Sequence, residues 1–374
     1  MKKENEVILD LLRYFLDKKQ KKKIISDLKK DLDWQYIYNV SIRQGVAPII
    51  YKSLKSLRFT KEVTSAFKEA YNIVYKRNSK LYKELNKILK AFEKENIDVV
   101  LLKGIYLAKY VHRDIGLRPM CDIDILVKEK DLPRIIKILN KKNYKNSLRD
   151  KKELHINFFN SKKKTHIEAH YNIAKLTEKF YINPKDFFEK IEDSNKNLLN
   201  PEFFLLFMLL HISKHIRQDG QILLKWLIDI LFFFKEEKVD FIKFNKLVQK
   251  YNLEKQIYLV WKIYKKEIDD NFKTSKIIEP PYLDKKVIDD IVYKYSSFKG
   301  LDEKNKYFVE FVILKNNLKR TKMIFEYLFP PFKDLSKNFK IEKKNPFIYL
   351  LYLINPIRIL ITFLLIIFKI KSKK

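Results

Sequence analysis

The sequence predicts an α+β protein, with a small mixed-sheet core flanked by helical N- and C-terminal regions. Three observations predict it. Apolar residues recur at helical spacing through residues 6–92, as in Ile8, Leu11, Leu12 and Phe15, and again after Pro201. Between these flanks lie short apolar runs, IDVVLLKG, CDIDILV, LHINFFN and THIEAHYNI, that are continuous or strictly alternating and read as strands. The composition agrees: 46% hydrophobic and 14% aromatic residues supply a core, and only five glycines in 374 residues exclude disordered or collagen-like designs.

The elements follow in order. Residues 6–92 hold three or four helices. IDVVLLKG is a strand ending in a turn, and IYLAKYVH returns to helical spacing. Gly116 and Pro119 mark a loop ahead of the CDIDILV strand. In KDLPRIIKILNKKNY, Asp131 stands as the N-cap of a helix with Pro133 in its first turn. LHINFFN and THIEAHYNI, joined by SKKK, form a hairpin. PEFFLLFMLLHISKHIRQ and, across a Gly220 turn, ILLKWLIDILFFFKEE are helices, and more helices fill 241–328. The divisions are therefore a helical region over 1–96, an α/β core over 97–175, a helical substrate or packing region over 176–340, and a tail over 341–374.

That tail carries mostly apolar residues over 346–368, with lysines on both sides and breaks at Asn355, Pro356 and Arg358. Its uninterrupted part, 359–368, is half the roughly 20 residues a spanning helix needs. The pattern favours an interfacial segment on an anionic membrane surface, ahead of packing on the protein itself and of a membrane span. The amino terminus, MKKENEVILDLLRYFL, is broken by Asp10 and Arg13 and reads as an amphipathic helix instead of a secretory signal. The single cysteine, Cys121, excludes an internal disulfide or a cysteine-cluster zinc site and fits a reducing compartment. The expected location is cytoplasmic, peripheral at the inner membrane face.

The formal net charge is +33, which draws phosphates, nucleic acid or anionic lipid. Lysines outnumber arginines 68 to 11, which together with abundant Ile and Asn points to A/T-rich coding as the larger cause. A nucleic-acid partner rests on this charge alone and ranks below a nucleotide.

On the CDIDILV strand alternate side chains share a face, so Asp122 and Asp124 project together while Ile123 and Ile125 turn to the core. Two carboxylates that close repel unless a cation lies between them, and Mg²⁺ (or Mn²⁺) is the hard, oxygen-seeking ion that also binds phosphates. Glu168, central in THIEAHY, supplies a third carboxylate from a neighbouring strand. Three such groups can hold two metal ions about 4 Å apart. His166 and His170 flank Glu168 on its face and can orient substrate or relay a proton. Gly104 lets backbone approach a phosphate, Lys103 adds a point charge, and Arg118 offers a bidentate clamp. His211 and His215 have the i, i+4 spacing of a zinc pair, but Ile212 stands where a metalloprotease has glutamate, so a structural or substrate-contacting role is expected. Asp229 shares a helix face with Trp226 and needs a partner if buried, for which His211 or His215 is the expectation.

LLKG, then GLRPMCDIDILV, then a helix and IEAHY, resembles the nucleotidyltransferase superfamily with the polymerase-beta-like core. More narrowly the chain is similar to the bacterial uncharacterised nucleotidyltransferase family, marked by an L-K-G turn, an R-P-x-x-D-x-D strand and an E-x-H strand. HISKH and WLIDI resemble that family's helical half, and the likeness covers roughly residues 35–270. The resemblance implies metal binding at Asp122, Asp124 and Glu168 and a nucleotide-phosphate contact at Lys103 and Gly104. The turn departs from the superfamily's Gly-Ser or Gly-Gly, because Ile105 follows Gly104.

The expected activity is metal-dependent transfer of a nucleoside monophosphate from an NTP to an acceptor hydroxyl or phosphate, with Glu168 assisting deprotonation. The acceptor class is open among small molecules, saccharides, peptides and proteins. The alternatives are a non-catalytic nucleotide- or partner-binding module at the membrane surface and a nucleic-acid-modifying transferase.

Overall fold

Asp33 accepts a hydrogen bond from the Tyr36 backbone N–H at 2.9 Å and so starts one of five helices that precede the first strand. The computed structural model describes residues 2–16, 18, 21–146, 155–171, 191–193, 198–268, 277–295 and 298–301, with scattered positions between 309 and 361. The five helices are α1 (Lys3–Leu16), α2 (Lys21–Leu28), α3 (Trp34–Arg43), α4 (Ala47–Ser56) and α5 (Lys61–Glu93). The sequence pattern suggested three or four. Gly45, at φ 70°, breaks the apolar run into α3 and α4, because only a residue without Cβ takes that left-handed turn cheaply.

The sheet has five strands in the order β1 (Val99–Leu101), β2 (Ile123–Val127), β5 (Thr165–His170), β4 (His155–Asn160), β3 (Lys145–Asn146). Only β2 and β5 pair in parallel. As predicted, β4 and β5 form a hairpin across SKKK. Strand β2 is buried along its whole length, because β1 and β5 flank it and α6 (Lys103–Tyr106) packs on it. Helix α6 runs on as a π-turn, Leu107–Val111, in which the His112 N–H donates to Leu107 O at 2.8 Å. Helix α7 (Leu132–Lys141) follows β2 with Pro133 in its first turn. Asp131 occupies its N-cap position but does not cap it; its carboxylate takes Arg134 at 2.5 Å instead.

A two-stranded ribbon, β6 (Ile191–Asp193) and β7 (Leu198–Leu199), leads into α8 (Pro201–Asp219). Asn200 caps α8 by accepting from Phe203 N–H at 3.0 Å, and Gly220 ends it at φ 69°. Helices α9 (Leu224–Glu236), α10 (Phe241–Lys250), α11 (Glu254–Glu267) and α12 (Tyr282–Lys294) follow. Arg13 of α1 donates to the carbonyls of Glu267 and Ile268, tying the first helix to the end of α11.

The chain separates into two units, Met1–Lys306 and Tyr307–Lys374. In the second, the Asn355 that interrupts the apolar tail is buried and donates to Leu328 O at 3.0 Å. Much of 346–368 lies outside the described residues, and among those described no helix is long and apolar enough to cross a membrane.

The loop leading into β2 is set by α5. Asn78 donates through Nδ2 to Ile115 O and, at 2.8 Å, to Arg118 O, and the Tyr71 hydroxyl donates to Asp114 at 2.9 Å. Gly116 lies flat against the Tyr71 ring: a Cβ there would sit 2.4 Å from Cε2. Gly116→Ala should therefore cost about 1–3 kcal/mol, the usual penalty for forcing a methyl into packed structure. Thermal unfolding reads this directly, and an unchanged midpoint would mean that the ring gives way freely.

Candidate active site

Parallel pairing of β2 with β5 sets Asp124 directly opposite Glu168. Asp122 lies one residue ahead of the strand, on the same side as Asp124 by alternation. Glu168 then belongs to two overlapping groups whose ligand atoms lie within 4.8 Å of one another: Asp122, His166 and Glu168, and Asp124, Glu168 and His170. Asp124 is 2% exposed, whereas Asp122 is half-buried.

A lysine holds these acids together. Lys103 Nζ lies 2.6 Å from Asp124 Oδ1 and 3.2 Å from Glu168 Oε2. His170 Nε2 lies 3.1 Å from Asp124 Oδ1 and 3.3 Å from Glu168 Oε2. Lys103 adopts φ 43°, a left-handed conformation that costs a residue with Cβ about 1 kcal/mol or more. The strained backbone is thus at Lys103, the residue whose side chain reaches the carboxylates, and Gly104 beside it has no need of its own conformational freedom.

The electrostatics divide the three acids. Burial opposes ionisation of Glu168, but its hydrogen bond to His170 and the charge of Lys103 outweigh it and hold the carboxyl well below the usual range. Burial, then repulsion from Asp124 and Glu168, push Asp122 up. For Lys103, burial works against the charge, and Asp124 and Glu168 overcome it and raise the pKa. Glu168 is thus held as the anion. Carboxylate oxygens with imidazole nitrogens at their margin make a donor set that fits a divalent cation.

Arg118 and Asp229 form a second centre. The Arg118 guanidinium meets both Asp229 oxygens, with Nε at 2.9 Å from each and Nη2 at 2.9 Å from Oδ2. His112 Nε2 lies 2.8 Å from Asp229 Oδ1, and its ring stacks on Phe232. The partners of buried Asp229 are therefore His112 and Arg118, not His211 or His215 as the helix-face argument suggested. The reason is that the π-turn delivers His112, and the loop held by Asn78 delivers Arg118, to the inner face of α9. Burial disfavours the Asp229 charge, but Arg118 and His112 prevail and lower its pKa. The same guanidinium closes the glycine turn. A Cβ on Gly104 would lie 2.6 Å from Arg118 Nη1 and 2.8 Å from Met120 Cγ, so the space beside Gly104 is filled by protein.

His211 and His215 cluster with Trp226: His215 stacks on its ring at 4.4 Å, and His211 meets it edge-on at 5.3 Å. His215 Nδ1 reaches Asp219 Oδ2 at 2.6 Å. Burial, followed by the charge of Lys103, holds His211 well below its ordinary pKa. Neither histidine belongs to a metal-capable group among the described residues.

Two contributors were missed in the sequence. His112 looked like the end of a helix, and Asn78 was one polar residue on a long one. Only the type of Asn78 was a signal, an amide at a position of α5 that burial would make costly without partners.

Comparisons with curated proteins and with solved structures gave no match. Residues 30–266 match the family described as uncharacterised nucleotidyltransferase, a span that contains every residue of both centres. The chain belongs to that uncharacterised nucleotidyltransferase family and is a nucleotidyltransferase.

Proposed function

We propose that the acidic edge of β2 and β5 transfers a nucleoside monophosphate from an NTP to an acceptor hydroxyl or phosphate, with Asp122, Asp124 and Glu168 as the ligands of divalent cations. The observation that carries this is the register that sets Asp124 opposite Glu168, with Asp122 within reach of the same oxygens. Mg²⁺ or Mn²⁺ bound there would neutralise charge on the attacking and leaving oxygens. The two overlapping ligand groups sharing Glu168 favour two such ions.

In the reaction the acceptor oxygen bonds to the α-phosphorus and the bond to the oxygen bridging to the β-phosphorus breaks. Pyrophosphate departs with that electron pair, and the acceptor proton passes to Asp122, the carboxyl of the three whose pKa is raised. The protein's part is positioning and charge, as in phosphoryl transfer generally. Glu168, held ionised, acts as ligand in preference to base. Lys103 keeps the carboxylates from repelling one another and would lend a positive charge to the transferred phosphate. His170, shared between Asp124 and Glu168, fixes their orientation. The acceptor is a small molecule, a saccharide, a peptide or a protein.

The test is incubation with each labelled NTP and Mg²⁺ or Mn²⁺, following pyrophosphate release and label transfer to the protein itself or to cell extract. Metal-dependent transfer is expected. Metal-dependent nucleotide binding with no turnover would make the protein a binding module.

A further inference from the structure

We propose that Lys225, in the first turn of α9, holds the β- and γ-phosphates of the bound NTP in place of the glycine turn. This rests on the nucleotidyl-transfer reading of the carboxylate edge and adds the residue that recognises the triphosphate.

The first observation is that the side of Gly104 on which a Cβ would project is occupied. Arg118 and Met120 fill the space beside Gly104, and the Arg118 fork is committed to Asp229. A triphosphate needs cations from elsewhere.

The second is that Lys225 is built into position. Gln44 accepts from the Leu224 N–H through its side chain at 2.9 Å and from the Lys225 N–H through its carbonyl at 3.2 Å. The lysine stem then lies across Gly45, where a Cβ would be 2.6 Å from Lys225 Cδ and 3.2 Å from Cγ. The turn between α3 and α4 therefore both anchors the start of α9 and leaves the channel that the stem occupies. A surface lysine needs neither.

The third is its surroundings. Lys225 is half-buried; its Nζ lies over the Trp226 ring, 6.0 Å from the centroid, and no salt bridge to a carboxylate is seen among the described residues. It stands one helical turn before Asp229 on the same face of α9, and Asp229 holds the Arg118 whose Nη1 lies beside Gly104, next to Lys103. Burial and Arg118 lower its pKa, the condition of an ammonium short of counter-charge. Phosphate oxygens beside the carboxylate-bound cations would supply that charge in charge-assisted hydrogen bonds.

Calorimetric titration of the full-length protein in Mg²⁺ tests this, using α,β-methylene analogues of the four NTPs, the four NMPs and inorganic tripolyphosphate. Lys225→Gln is expected to weaken the preferred triphosphate analogue and tripolyphosphate by about tenfold to a hundredfold, the range for losing one hydrogen bond to a charged group. NMP affinity should stay as in the wild type, which also reports that the fold is intact. Gly45→Ala, which displaces the stem while keeping the lysine, should give the same selective loss. Unchanged triphosphate affinity in Lys225→Gln overturns the proposal, as does an equal loss for NMP. Failure of the wild type to bind any of these ligands would remove the nucleotidyl-transfer reading itself, and the role of Lys225 with it.

Discussion

Asp122→Asn and Asp124→Asn are each expected to reduce metal-dependent nucleotidyl transfer by about a thousandfold or more, since on the proposed assignment losing a ligand forfeits several kcal/mol of charge stabilisation in the transition state. The two variants differ in stability, and that difference makes the result interpretable. Asp122 carries a charge that burial, Asp124 and Glu168 all disfavour, so the neutral amide unfolds no more easily than the wild type in metal-free buffer. Asp124 is buried and paired with Lys103 and His170, so its amide variant loses about 1–3 kcal/mol, although Lys103 keeps Glu168 at 3.2 Å. Thermal unfolding beside the transfer assay separates the effects. An Asp122→Asn protein of full stability that still transfers label would sink the metal-ligand assignment.

Asp229→Ala destabilises the protein by about 3–5 kcal/mol, the cost of leaving a buried charge without its partner. Two groups are orphaned at once, the Arg118 guanidinium and the His112 ring. Replacing the pair together, Arg118→Met with Asp229→Leu, recovers much of the loss, because apolar residues of similar volume often substitute for a buried ion pair at little cost. Urea unfolding of the wild type, the single variants and the double variant measures the coupling; additive effects would mean the pair is not energetically linked. The pH dependence has a definite sign. The folded-state pKa of Asp229 is depressed, so its contribution is fully present above the ordinary value of 3.8 and is lost only as pH falls through the lower folded value. Asp229→Asn should lack this acid-side loss.

The candidate site was readable wherever its logic is local. Alternation placed Asp122 and Asp124 on one face and Glu168 between two histidines, since the side-chain period of a strand needs only three or four residues to show itself. The hairpin was equally visible, because its turn joins two neighbouring patterns. The partner of Asp229 was not, because His112 and Arg118 stand 117 and 111 residues away and helix-face spacing favours candidates on nearby helices. At Gly104 the residue type was legible but its surroundings were not: Arg118 Nη1 and Met120, from the next loop, lie where a side chain would project.

By itself, then, the sequence determined the α+β class, four of the five strands of the main sheet, most helices around it, and the three carboxylates that share a face or a neighbourhood. These follow from periodicity and from residue chemistry over short distances. The tertiary structure alone decided that β2 and β5 run parallel with Asp124 opposite Glu168, that Lys103 lies between them, and that the stem of Lys225 is laid over Gly45. Those outcomes depend on which strand neighbours which and on which buried charge finds which partner. Both are settled by packing and desolvation across the whole core, where no short stretch of residues carries the answer.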